Sequence, residues 1–217
     1  MKKVFSFVAL AAAMMFAGQA YAQLSVNAGY TSKTFTSTTK YGDNTNTKTY
    51  SLGGGFFVGG SYSVGMSDGL NVTPGLYFTY NTDKDEDHGV TTTINTMDLN
   101  IPILFSYTYS LSSDLALFAF VGPNIQLGLS AQEKVEGTPG GILDGTADLY
   151  EKDDDGESMF TRFDLGIMVG LGVQYQNFRL QAGYNKGLLD RCGYEDGDNY
   201  SFEYAMSQIF VGVGFAF

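Results

Sequence analysis

From Leu24 onward the chain alternates apolar and polar residues in eight stretches separated by polar segments. A period of two marks strands whose side chains point to opposite faces in turn. The stretches run from Leu24 to about Phe35, Tyr50 to Met66, Leu70 to Asn81 and Thr93 to Tyr109. Four more follow: Leu115 to about Ser130, Met159 to Tyr175, Phe178 to Leu188, and about Tyr200 to Phe217. In the fourth, Met97, Leu99, Ile101, Ile103, Phe105, Tyr107 and Tyr109 share one face. The last places Ile209, Val211, Val213, Phe215 and Phe217 together, with Gly212, Gly214 and Ala216 between them. Tyr200, Phe202, Tyr204 and Met206 fall on the opposite parity, which predicts either a bulge near Ser207 or aromatics lying above the apolar band. Pro102 and Pro123 lie inside strand patterns, where a missing N–H predicts local irregularity.

The connections alternate in length. Thr36–Thr49, Asp83–Thr91, Ala131–Ser158 and Asp190–Asn199 are long and polar. Ser67-Asp68-Gly69, Ser110–Asp114 and Gln176-Asn177 are short turns. That rhythm predicts an all-β fold, an eight-stranded antiparallel up-and-down transmembrane β-barrel with short periplasmic turns and long acidic extracellular loops. Mean hydropathy of −0.05 suits such a wall, because inward polar residues dilute the lipid-facing ones. A soluble lipocalin-like barrel shares the strand number but buries large apolar residues inside. Here the inward set reads as Gly, Asn, Gln and Asp.

A leader precedes the strands. Lys2 and Lys3, the apolar run Val4–Phe16 and the small-x-small site Ala20-Tyr21-Ala22 predict a signal peptide over residues 1–22. Residues 23–217 then form one barrel domain, exported to the outer membrane of a Gram-negative cell. Gln23 follows the expected cleavage site, so a lipid anchor on cysteine is not expected. Cys192 is the only cysteine, which excludes an internal disulfide or a Cys-based zinc site. Removing the two leader lysines leaves ten of the 12 Lys and Arg against all 23 acidic residues, a net charge of −13. Such a surface repels nucleic acid.

Several segments resemble the outer-membrane β-barrel domain of Bacteroidetes-type "porin family" proteins. They are Leu99-Asn100-Ile101-Pro102-Ile103-Leu104 with Tyr107, Phe118–Pro123, Phe163–Gly166 with Gly170–Gly172, and Gln181–Leu188. The resemblance implies fold, compartment and topology, and no catalytic residues. Val211, Val213, Phe215 and the terminal Phe217 also resemble the signal by which barrels are recognised for insertion. Implied partners are outer-membrane lipid, lipopolysaccharide and the barrel-assembly machinery, with the chain a monomer and no cofactor.

Candidate chemistry lies on the inward face. Asn27, Asn71, Asp98, Asn100, Asn124, Gln126, Asp164, Gln174 and Gln181 point there by parity, with Arg162 and Arg179. Eight strands enclose a lumen just wide enough for side chains, and charges inside it need partners. We expect a polar network of Asp98, Arg162, Asp164, Arg179 and Glu203, either a packed plug or a gated path for protons or small ions. His88 sits in an acidic loop with no Gly-x-Ser-x-Gly or other nucleophile motif, so no enzyme is expected. Asp153-Asp154-Asp155-Gly156-Glu157 lacks EF-hand spacing and suggests at most loose divalent-cation contact. Gly53-Gly54-Gly55 lies within a strand and is no phosphate loop. The expected role is structural or cell-surface interaction through the acidic loops. A narrow pore or an accessory barrel in transport or secretion is the alternative, and a barrel enzyme a third.

Overall fold

In the computed structural model, the structure describes residues 22–42, 44–137, 141–142, 144–152, 158–193 and 200–217. The expected leader, up to residue 21, and the run Asp153–Glu157 lie outside the described residues. The strands are β1 (Ala22–Tyr41), β2 (Asn44–Ser67), β3 (Leu70–Asp87), β4 (Val90–Ser110) and β5 (Leu115–Glu136). Two short strands follow, β6 (Gly145–Asp148) and β7 (Ser158–Phe160). Then come β8 (Phe163–Tyr175), β9 (Phe178–Gly187), the short β10 (Cys192–Gly193) and β11 (Tyr200–Ala216).

Eight long strands close into a ring in the order β1-β2-β3-β4-β5-β8-β9-β11, with β11 paired back onto β1. Every pairing around the ring is antiparallel. Within the ring each long strand is paired on both sides, which is what a sheet in hydrocarbon requires. Leu24, Val26, Phe56, Val58, Leu76, Phe105, Val121, Ile167, Val169, Leu171, Val211 and Val213 are exposed on the outer face. Their neighbours Ser25, Asn27, Asn100, Ser106, Asn124 and Asp164 are buried within. Greasy outside and polar inside is the arrangement of a wall between lipid and lumen.

Two expected loops prove to be strand. Thr36–Tyr41 continues β1 and Asn44–Thr49 continues β2, with the Thr36 and Thr49 hydroxyls 3.0 Å apart across the pair. Asp83–Thr91 likewise extends β3 and β4 and closes at His88-Gly89, both with positive φ. Positive φ at both central positions matches the right-handed twist of the flanking strands. Threonine's branched side chain favours extended backbone, so polarity there does not mean loop.

Bulges set what fills the long-loop end. Opposite Ser32–Thr34, β2 carries an extra residue at Gly53, whose φ of 83° suits glycine. The slip turns Leu52 into the lumen, against the parity of Phe56 and Val58. A second shift at Met97–Asp98 turns Ala131 of β5 inward.

The final strand has no bulge. β11 pairs with β1 in unbroken register from Ala216 opposite Ser25 to Tyr200 opposite Tyr41. Met206 therefore points inward and is buried, on the same parity as Gln208 and Phe210. Tyr204 packs inside on Phe35 and Phe160, whereas Tyr200 is exposed at the outer end of the strand, opposite Tyr41. At the prolines, the paired ladder is interrupted between Pro74 and Tyr77 and between Pro102 and Phe105, without a change of register.

Candidate functional site

The lumen is filled in layers. At its middle, Phe118 of β5 stacks on Phe120, and Phe120 on Phe210 of β11, with ring centroids 6.3 and 6.4 Å apart. Phe210 meets Phe57 of β2 edge-on at 5.8 Å, and Phe57 meets Tyr77 of β3 at 6.1 Å. The chain of rings thus runs across the barrel, with Leu104 and Met168 packed against it. Glycines on the adjoining strand β8 make room: any side chain at Gly170 or Gly172, paired opposite Phe120 and Phe118, would collide with their rings. A cavity of about 50 Å³ remains among Phe57, Tyr77, Leu104, Phe120 and Phe210. It has room for a few waters. The inward set is therefore aromatic as well as polar.

Next to this layer, toward the long loops, lies a charged one. Lys33 Nζ donates to Asp98 Oδ2 at 2.6 Å, and both side chains are at most 3% exposed. Asp164 and Arg191 lie within electrostatic reach of Lys33, so two cations face two carboxylates. Asn124 Nδ2 donates to Asn100 Oδ1 at 3.0 Å, and Asn81 Nδ2 donates to the Thr31 carbonyl. Asp98 Oδ1, Asp164 Oδ2, Asn185 Oδ1 and Arg191 Nη1 have no hydrogen-bond partner among the described residues. A balanced set of buried charges is tolerated where a lone one is not.

The mouth is capped by loop segments. Arg191 is fully buried, donates from Nε to the Thr161 carbonyl at 2.8 Å, and from Nη2 to the Tyr150 hydroxyl at 3.0 Å. Thr161 N donates in return to the Arg191 carbonyl, and β7 pairs with β10. These bonds fasten the segments before β8 and after β9 to each other. Around them, on the mouth side of Lys33, Phe35, Leu52, Ala131, Leu149, Tyr150, Phe160 and Met206 form an apolar cluster. Burial pushes the Tyr150 phenol above its usual range; the Asp98 charge adds to this and Arg191 opposes it. A cavity of about 620 Å³ opens beside the cluster. Its floor holds Phe35, Leu52, Leu149 and Phe160, and its rim Asp83, Lys84, Asp85 and Glu133.

A model of the outer membrane protein beta-barrel domain matches residues 14–191. The chain belongs to that family. This barrel is accordingly an outer-membrane protein. Three solved structures of outer-membrane proteins are similar to it over most of its length. Ail, the attachment invasion locus protein of Yersinia pestis, solved with the heparin analogue sucrose octasulfate, is 14% identical with a TM-score of 0.41. That match covers 90% of this barrel and 99% of Ail. The outer membrane enzyme PagL is 10% identical with a TM-score of 0.42, over 84% of this barrel and 98% of PagL. The outer membrane protease OmpT from Escherichia coli is 9% identical with a TM-score of 0.45, over 90% and 96%. At these scores the likeness specifies no activity. No curated protein matches the chain. Because PagL and OmpT are enzymes of the same membrane, the expectation that this barrel is no enzyme does not stand.

Of the five residues expected to form one lumen network, the barrel brings only Asp98 and Asp164 into the same charged layer. Arg162 precedes β8 and its side chain is 47% exposed. It donates to the Gly128 and Leu129 carbonyls and lies 4.5 Å over the Tyr150 ring. Glu203 shares the outward parity of Ile209 and is exposed, because β11 has no register break. Arg179 faces the lumen at the opposite, short-turn end. Lys33 pairs directly with Asp98, and Arg191 acts on Asp164 from beyond ion-pair distance. Lys33 was findable, since it continues the inward parity of Asn27 and Thr31. Arg191 lies beyond the end of β9, where parity gives no signal. His88 is a turn residue paired with Asp87, both highly exposed.

Proposed function

We propose that this chain is a closed, non-conducting outer-membrane barrel whose role is carried by its long-loop end, displayed at the cell surface for interaction. One observation carries the reading: the row of rings from Phe118 to Tyr77 that crosses the lumen. An aromatic layer backed by paired charges favours a plug over a narrow pore. What remains available for a partner is the rim of long hairpins around the mouth cavity. Connecting segments on a rigid scaffold are where recognition concentrates. On this reading the short turns and both termini face the periplasm, as in barrels with an even strand number.

Lipid and lipopolysaccharide surround the apolar band, and the assembly machinery reads Val211, Val213, Phe215 and Phe217 during insertion of a monomer. A place among Bacteroidetes-type barrels rests on the Leu99–Leu104 and Gln181–Leu188 segments. The test is protease added to intact cells. Cleavage between β5 and β7 without opening the outer membrane is the expected result. Cleavage only after the membrane is opened would overturn the orientation.

A further inference from the structure

At the short-turn end the lumen widens into a cavity of about 400 Å³, within the range of small-molecule sites. Hydroxyls and amides line it, among them Ser63, Asn71, Thr108 and Gln174. Arg179 is the one cationic side chain on that lining, and Asp114, in the turn after β4, the one carboxylate. No ion pair joins Arg179 to any described carboxylate. Its guanidinium lies 4.3 Å over the Phe118 ring, Nη1 is 3.5 Å from the Ser25 hydroxyl, and Nε is buried without a partner. The ring contact orients the fork while leaving its charge unneutralised. A guanidinium so held matches the paired oxygens of a carboxylate or phosphate.

We propose that this funnel binds a small polar molecule through one oxyanion group, carboxylate or phosphate, which pairs with Arg179. The hydroxyls and amides around it receive the rest of the molecule. The inference concerns the end opposite the mouth and stands apart from the surface reading.

The test is the melting temperature of the folded barrel in non-ionic detergent, titrated separately with acetate and with inorganic phosphate against chloride at constant ionic strength. A saturable rise of about 3 °C is expected near tenfold the dissociation constant. A response to acetate alone points to a carboxylate ligand, and to phosphate alone a phosphorylated one. Arg179→Gln should abolish the rise and Arg179→Lys retain part of it. Gln174 pairs directly with Arg179 across β8 and β9. Gln174→Glu, nearly isosteric, should supply the counter-charge internally, raising the starting melting temperature and removing the response. Should Arg179→Gln not fold, Gln174→Glu decides. No saturable rise with either anion, or a rise that survives in Gln174→Glu, would overturn the proposal.

Discussion

Arg191 and Arg179 occupy opposite ends of one lumen and are held in different ways. Arg191 is fully buried, donates to Thr161 and Tyr150, and belongs to a set of two cations and two carboxylates sealed under an apolar cap. Arg179 has no carboxylate partner among the described residues and leans on an aromatic face at the edge of an open polar cavity. The first arrangement neutralises charge internally, so it closes the barrel and fixes the loop segments that form the mouth. The second leaves a charge for something else to neutralise. Charge balance, more than polarity, separates the part of this lumen that is structural from the part that can receive a ligand.

The largest effect that would sharpen this contrast is expected at Asp98. Asp98→Ala leaves Lys33 buried beside the aromatic layer without its direct partner, at a cost of about 3–5 kcal/mol. Arg179→Ala should cost clearly less, since it unpairs no carboxylate. Urea unfolding of both variants in lipid vesicles measures the difference, and equal losses would break the comparison. On the outer face, Val169→Arg near the middle of β8 should cost about 2–4 kcal/mol in the same assay. An unchanged stability there would mean the exposed apolar band does not meet lipid.

Arg162→Ala should cost less than about 1 kcal/mol, because its side chain is half exposed and its ion pair with Asp148 is 4.0 Å long. The smallest effect expected is one of pH at Tyr150. A phenol whose ionisation is raised by folding stabilises the cap fully below its unfolded value of about 10 and loses that contribution as pH rises through the folded one. Protease sensitivity of the segment before β8 should therefore increase at alkaline pH, and Tyr150→Phe should flatten that increase.

Much of the barrel was legible because alternation holds over long stretches of the wall: the outward rows of β4 and β8 are where their parity puts them. Three kinds of residue escaped that logic. Leu52 and Ala131 point inward only because bulges at Gly53 and near Leu129 shift the count by one. Phe57, Phe120 and Phe210 are inward by parity, yet the reading of the inward set as Gly, Asn, Gln and Asp passed them over; glycines on the adjoining paired strands, not polarity, decide that they fit. Arg162 and Arg191 lie outside the long strands, where pairing ends and tertiary packing alone places a side chain. The network of Asp98 and Asp164 was thus half legible, with its anions on strands and one of its cations on a loop.

Ion conductance of the purified barrel in planar bilayers tests the central claim of a lumen closed by its aromatic and charged layers. Silence at neutral pH is the expected result, with openings appearing when Phe120→Ala and Phe210→Ala are combined to remove the middle of the ring layer. Steady channels from the unaltered chain would contradict the closed barrel.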